Sequence, residues 1–164
     1  MNLEAFWQWV VEWPLSQWIQ ESSIAFPLIE IIHVLSIVTV VGTIAIVDLR
    51  LLGVPAHRRN LRELIAELLP FTWVAFILAV TSGALLFISK APDYAGNFAF
   101  RMKLLLIALA GLNMLWFHFV TQRNMANWEN DAVPPREARI GGGISLLLWI
   151  LVIACGRWIG FTLY

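Results

Sequence analysis

Charge is what this chain has least of. Only 13% of its 164 residues are Asp, Glu, Lys or Arg, about half the share of an average soluble domain. So few charges cannot furnish a water-facing surface for a protein of this size, which excludes an ordinary soluble fold. Lys and Arg are missing altogether before Arg50, and Glu4 and Glu12 stand where a secretory signal carries positive charge; a cleaved leader is therefore not expected. Cys155 is the only cysteine. That excludes an intrachain disulfide and the C-x-x-C-H motif of covalently attached c-type haem. Net charge is +0 with no basic cluster, so nucleic acid is not an expected partner. No internal repeat, glycine-rich phosphate loop or dinucleotide fingerprint occurs.

What fills the space is apolar. The chain is 60% hydrophobic, with nine tryptophans and a mean hydropathy of +0.76. Tryptophan concentrates at membrane–water interfaces. Residues 2–13 place Leu3, Phe6, Trp7, Val10 and Trp13 at helical spacing. They read as an amphipathic helix lying in the interface or packed on the rest of the protein. Pro14 ends it, and Ser16 is positioned to cap a short second turn. This N-terminal segment, 1–23, precedes a membrane domain, 24–164. The expected architecture is all-α: a four-transmembrane-helix bundle with an N-terminal interfacial amphipathic helix.

The spans fall at about Ile24–Val47, Pro70–Ile88, Phe98–Val120 and Ile140–Phe161, each near the ~20 residues that cross a bilayer core as a helix. An amphipathic turn, Leu61–Leu69, precedes the second. Asp48 and Arg50 close the first helix where it is expected to meet water. Arg50, Arg58, Arg59, Arg62, Arg123, Arg136 and Arg139 fall on one side, against Lys90, Arg101, Lys103 and Arg157 on the other. The positive-inside rule then puts the first side in the cytoplasm and both termini outside. The expected location is a bacterial inner membrane, multi-pass.

His33 lies inside the first span, roughly 6 Å outward of its middle at ~1.5 Å per residue. An ionisable side chain at that depth faces a partner, a cavity or a cofactor. Arg101, Lys103 and Arg157 fall at or somewhat above its level, and Glu30 lies one turn before it. One histidine beneath three cations and an acid suits an anchored b-type haem. The imidazole would ligate iron while Arg and Lys neutralise the propionates. Gly42, Gly83, Gly111 and Gly156, one per span, leave room for a flat macrocycle or for close helix packing. The alternative for His33 is a hydrogen bond to a Ser, Thr or Glu of a neighbouring helix. Met102 is a candidate soft axial ligand, as is Met114; water or a neighbouring copy could also supply the sixth ligand. His118 lies roughly 15 Å away in depth at the same rise per residue. It cannot share a metal with His33, although a His118/His57 pair would suit copper or a second haem. Asn113, mid-span, is placed to hydrogen-bond across helices.

The run of His33, Gly42, Asp48-Leu-Arg-Leu-Leu-Gly53, Phe98-Ala-Phe-Arg-Met-Lys103, Gly111-Leu-Asn113, Ser145-Leu-Leu-Leu-Trp149 and Gly156-Arg157 resembles a bacterial family of four-helix membrane proteins with no assigned function. More distantly, a His early in one span and a Lys opening a later one that ends near a His is similar to HemJ-type protoporphyrinogen oxidases. It is also similar to the membrane domain of copper-resistance protein D. The first of these two resemblances implies haem b with His33 as ligand and Lys103 near substrate or cofactor; the second implies metal handling. The function expected is an integral membrane haem b protein with a redox or electron-transfer role, working with a redox partner, as a homo-oligomer or within a larger complex. Two rivals stand beside it. One is a copper-handling or small-solute transport protein using His33, Glu30 and His118; the other is a non-catalytic subunit whose buried charges pair with each other or with a partner chain.

Overall fold

The computed structural model describes residues 3–54, 60–129, 131 and 133–163. Its helices, in order, are α1 (Leu3–Val11), α2 (Pro14–Glu21), α3 (Ala25–Leu51), α4 (Leu61–Ser89), α5 (Ala91–Gly96), α6 (Phe98–Trp116) and α7 (Arg136–Thr162). A π-helical turn, Phe117–Thr121, and a 3-10 turn, Gln122–Asn127, follow α6. No strand occurs among the described residues. Four helices are long and apolar enough to cross a membrane: α3, α4, α6 with its extension to Val120, and α7. Their outward faces carry Leu35, Val38, Ile77, Leu112 and Ile150, all exposed. A lipid bilayer is the medium in which such faces cost nothing.

The long helices form two hairpins. α3 packs along α4, α6 along α7, and the hairpins join through α3 and α7. Among the described residues α4 does not pack along α6. Near one end the two are spaced by stacked Phe87 and Phe100, 5.3 Å between ring centroids, with Trp7 and Tyr94 against the same cluster. α1 lies on α5, and α2 on α3 and α4, so the N-terminal segment caps this end. Ser16 and Ile19 are fully buried beneath it while Trp9 and Trp18 stay exposed. Ser16 does not cap its own helix. Its hydroxyl donates to the Ile88 carbonyl at 2.8 Å and ties α2 to α4. Pro14 opens α2 at its first turn, where no N–H is needed.

The second long helix begins nine residues before the expected Pro70. Asn60 caps it by accepting from the Arg62 and Glu63 amides, and Leu61 and Leu64 are buried at its start. Those anchors carry the helix through Pro70, which costs one backbone hydrogen bond. Two residues on, Thr72 donates to Thr43 of α3 at 2.8 Å.

At the opposite end, Leu51, Leu61, Met125, Trp128 and Ala138 make a compact apolar core against Val47, Ile65 and Phe117. Asp48 and Arg50, expected at the water boundary, are instead buried, at 4% and 3% exposure. The connecting segment folds back over them: the Arg50 guanidinium donates to the Glu129 carbonyl at 3.3 Å and that of Asp131 at 3.0 Å. Gly53, at φ 80°, ends α3 in the left-handed region. At the start of α4, Arg62 pairs with Glu129 of the connecting segment at 2.8 Å. That bond holds the Glu129 carboxyl below the usual carboxylate range.

Candidate cofactor site around His33

His33 sits in the third turn of α3 and turns its ring toward α4. Its Nδ1 lies 2.9 Å from the Ala79 carbonyl and 3.1 Å from the Ser82 hydroxyl. A carbonyl can only accept. The Ser82 proton is already given to the Leu78 carbonyl at 2.6 Å. Both contacts therefore require Nδ1 to carry the hydrogen. In the neutral ring Nε2 is then the nitrogen with a free lone pair, and it makes no hydrogen bond to any described residue. A donated Nδ1–H, with the other nitrogen left basic, is the arrangement of metal-ligating histidines, whose orientation is set by such partners.

Two glycines shape the surroundings. A Cβ at Gly83 would lie 2.8 Å from Cε1 of His33, so the ring occupies the space a side chain on α4 would need. A Cβ at Gly156 would lie 3.8 Å from the Lys103 Nζ. Gly83 thus admits the imidazole, whereas a Cβ at Gly156 would make only ordinary van der Waals contact with Lys103. Lys103 is half-buried on α6. Lys103 makes no hydrogen bond or ion pair with a described residue. A cation held within a span without an anionic partner is costly; an anion brought to it would offset that cost.

The other expected members of the crown go elsewhere. Arg101 donates to the Ala95 carbonyl at 2.9 Å and to Gly96 at 3.0 Å, tying off the end of α5. Arg157 is exposed and lies over Phe161, 4.8 Å from its ring centroid. Glu30 is exposed on α3, and Met102 is half-buried on α6. His118 is exposed in the π-helical turn, with its ring edge-on to Phe119. His57 lies outside the described residues. Asn113 does bridge helices, donating to the Gly141 carbonyl at 3.1 Å. The Ser82 contact is the alternative expected for His33, a hydroxyl on a neighbouring helix; Ala79 and Ser82 were not themselves named from the sequence, where the polar run Thr81-Ser82-Gly83 inside an apolar span was the available signal.

For a haem, the donors present fit in kind: a neutral imidazole with a free Nε2 for iron, and an ammonium for a propionate. For a bare metal ion they do not. No group of three or more His, Cys, Asp or Glu side chains among the described residues could hold one, and Lys103 would repel it.

Residues 21–162 match the model of a family of unknown function (DUF6644). No curated protein and no solved structure matches the chain, so the comparisons lend no support to the resemblances to HemJ-type oxidases and copper-resistance protein D.

Proposed function

The chain belongs to the DUF6644 family, and we propose that it is a membrane b-type haem protein with a redox role. One observation carries the reading. The His33 ring is fixed through Nδ1 by Ala79 and Ser82, leaving Nε2 as a Lewis base, and Lys103 of α6 has no anionic partner among the described residues. A ligand that satisfies both groups has an electrophilic metal and a carboxylate on one body. Haem has both; a copper ion has only the first. Bound there, haem would supply one-electron chemistry.

The protein's own part is positional. Ala79 and Ser82 hold the imidazole in one tautomer and one orientation, which raises its basicity toward iron. Lys103 would neutralise a propionate, and Gly83 leaves the space that the imidazole occupies. The aromatic cluster of Trp7, Phe87, Tyr94 and Phe100 lies at the capped end of the same helices. Met102, water or a second copy of the chain would supply a further ligand to the iron. The arginine excess at the Asp48 end supports a cytoplasmic placement for that end, in a bacterial inner membrane.

The test is spectroscopic. Protein extracted in mild detergent is expected to show a Soret band and extractable haem b, both absent from His33→Ala. A colourless protein with stoichiometric copper would favour the metal-handling reading. A colourless protein with neither would favour a non-catalytic subunit.

A further inference from the structure

Where the N-terminal segment caps the bundle, it leaves an open cleft of about 290 Å³ against the junction of α4 and α5. The cleft takes no part in the haem reading, and its assignment does not rest on that reading. Its polar lining converges from four helices: Gln8 of α1, Gln20 of α2, Ser89 and Lys90 where α4 ends, and Asp93 of α5. The volume lies at the small end of ligand sites, which begin near ~300 Å³. Lys90 alone separates α4 from α5, so one turn of the chain brings a cation and an anion to the same cleft.

The two charges do not neutralise each other. Neither Lys90 nor Asp93 forms an ion pair with a described residue. The Lys90 ammonium stands 5.8 Å from the Phe26 ring centroid, a contact that positions a cation without cancelling its charge. The Gln20 amide nitrogen donates to the Ser16 hydroxyl at 3.3 Å, which leaves its carbonyl oxygen as an acceptor. Ser89, 1% exposed, gives its proton to the Leu86 carbonyl at 2.7 Å, so its oxygen can only accept further bonds. Gln8 adds an amide that can donate. A simple anion in this cleft would be drawn to Lys90 and repelled by Asp93, and a simple cation the reverse. A ligand carrying both charges is complementary to both.

Position narrows the class. The cleft lies where a membrane-spanning helix ends. Trp9, Trp13 and Trp18 are exposed on and between the two short helices beside it, at the level where tryptophan meets lipid headgroups. We propose that the cleft binds a phosphoethanolamine group: Lys90 and Gln8 donate to its phosphate, and its primary ammonium donates to Asp93 and to the Gln20 and Ser89 oxygens. A phospholipid headgroup and free phosphoethanolamine present the same charges.

Native mass spectrometry of the full chain in detergent tests this with three phospholipids of matched acyl chains. Phosphatidylethanolamine carries the whole group, phosphatidylcholine has no N–H on its cation, and phosphatidylglycerol has no cation. The first is expected to bind about tenfold more tightly than the others, the worth of one charge-assisted hydrogen bond. Asp93→Asn is expected to erase that preference, and Lys90→Gln to weaken all three lipids, since each has a phosphate. Glu21→Gln, on α2 but outside the cleft, is expected to change nothing. If Lys90→Gln does not fold, the wild-type preference and its loss in Asp93→Asn decide the matter. Free O-phosphoethanolamine identifies the source: displacement of the retained lipid at equal concentration supports a soluble ligand at this site, and no displacement supports a lipid. Equal retention of the three lipids overturns the proposal. So does a preference that survives Asp93→Asn, or an equal loss in Glu21→Gln.

Discussion

The two ends of this bundle treat their buried polar groups in opposite ways. At the Asp48 end the buried cation and the ion pair are satisfied within the chain, although the Asp48 Oδ2 is left without a hydrogen-bond partner among the described residues. Arg50 is bonded to loop carbonyls, Arg62 is paired with Glu129, and Trp128 and Met125 belong to an apolar core with Leu51 and Leu61. At the His33 end one ring nitrogen is fixed and the other is not, and on α6 the Lys103 ammonium has no anionic partner among the described residues. The helices differ in the same sense. α3 and α7 meet closely at Gly142, whereas α4 and α6 do not pack along their length. The contrast fits the proposal that the Asp48 end chiefly carries stability and the His33 end the binding.

Substitutions can break that division. The largest effect belongs to His33→Ala, which is expected to abolish haem retention while leaving thermal unfolding in detergent within a few degrees of wild type. Equal losses of pigment and of stability would mean that the ring is structural. Next comes Leu61→Ala, at a fully buried position of the opposite core, where truncation costs about 2–5 kcal/mol. Denaturation should register that loss, with haem content per folded molecule unchanged. A smaller change is expected for Ser82→Ala, which removes one of the two Nδ1 partners; loss of such an outer partner typically weakens a metal–ligand bond about 10–100-fold. Haem titration reads it, and an unchanged affinity would show that Ala79 alone orients the ring. Smallest is the exposed Arg62–Glu129 pair. The Glu129 carboxyl is held below its usual range by the Arg62 bond, so its contribution is present above the unfolded value and lost as pH falls through the folded one. Glu129→Gln should flatten that slight acid-side loss and leave the spectrum alone.

The spans were legible because length and hydropathy alone fix them, and His33 and Lys103 because an ionisable group in an apolar run has few other uses. Azimuth was not legible. Arg101 shares the level of Lys103, but two residues apart means ~200° around the helix, so the two cannot both face His33; Arg101 closes α5 instead. The same spacing sends Asp48 and Arg50 to different sides of α3. Their burial depends on a loop folding back, which no local pattern announces. The Ala79 carbonyl was invisible for a simpler reason. Every residue has one, so only the fold can say which carbonyl meets His33.

The most direct test of the central claim is chemical rescue. In His33→Gly, reconstituted with haem in detergent, added free imidazole is expected to restore the wild-type axial-ligand spectrum, at concentrations that leave the wild type unaltered. A His33→Gly protein that binds haem with the wild-type spectrum before imidazole is added would contradict the assignment of Nε2 as the iron ligand.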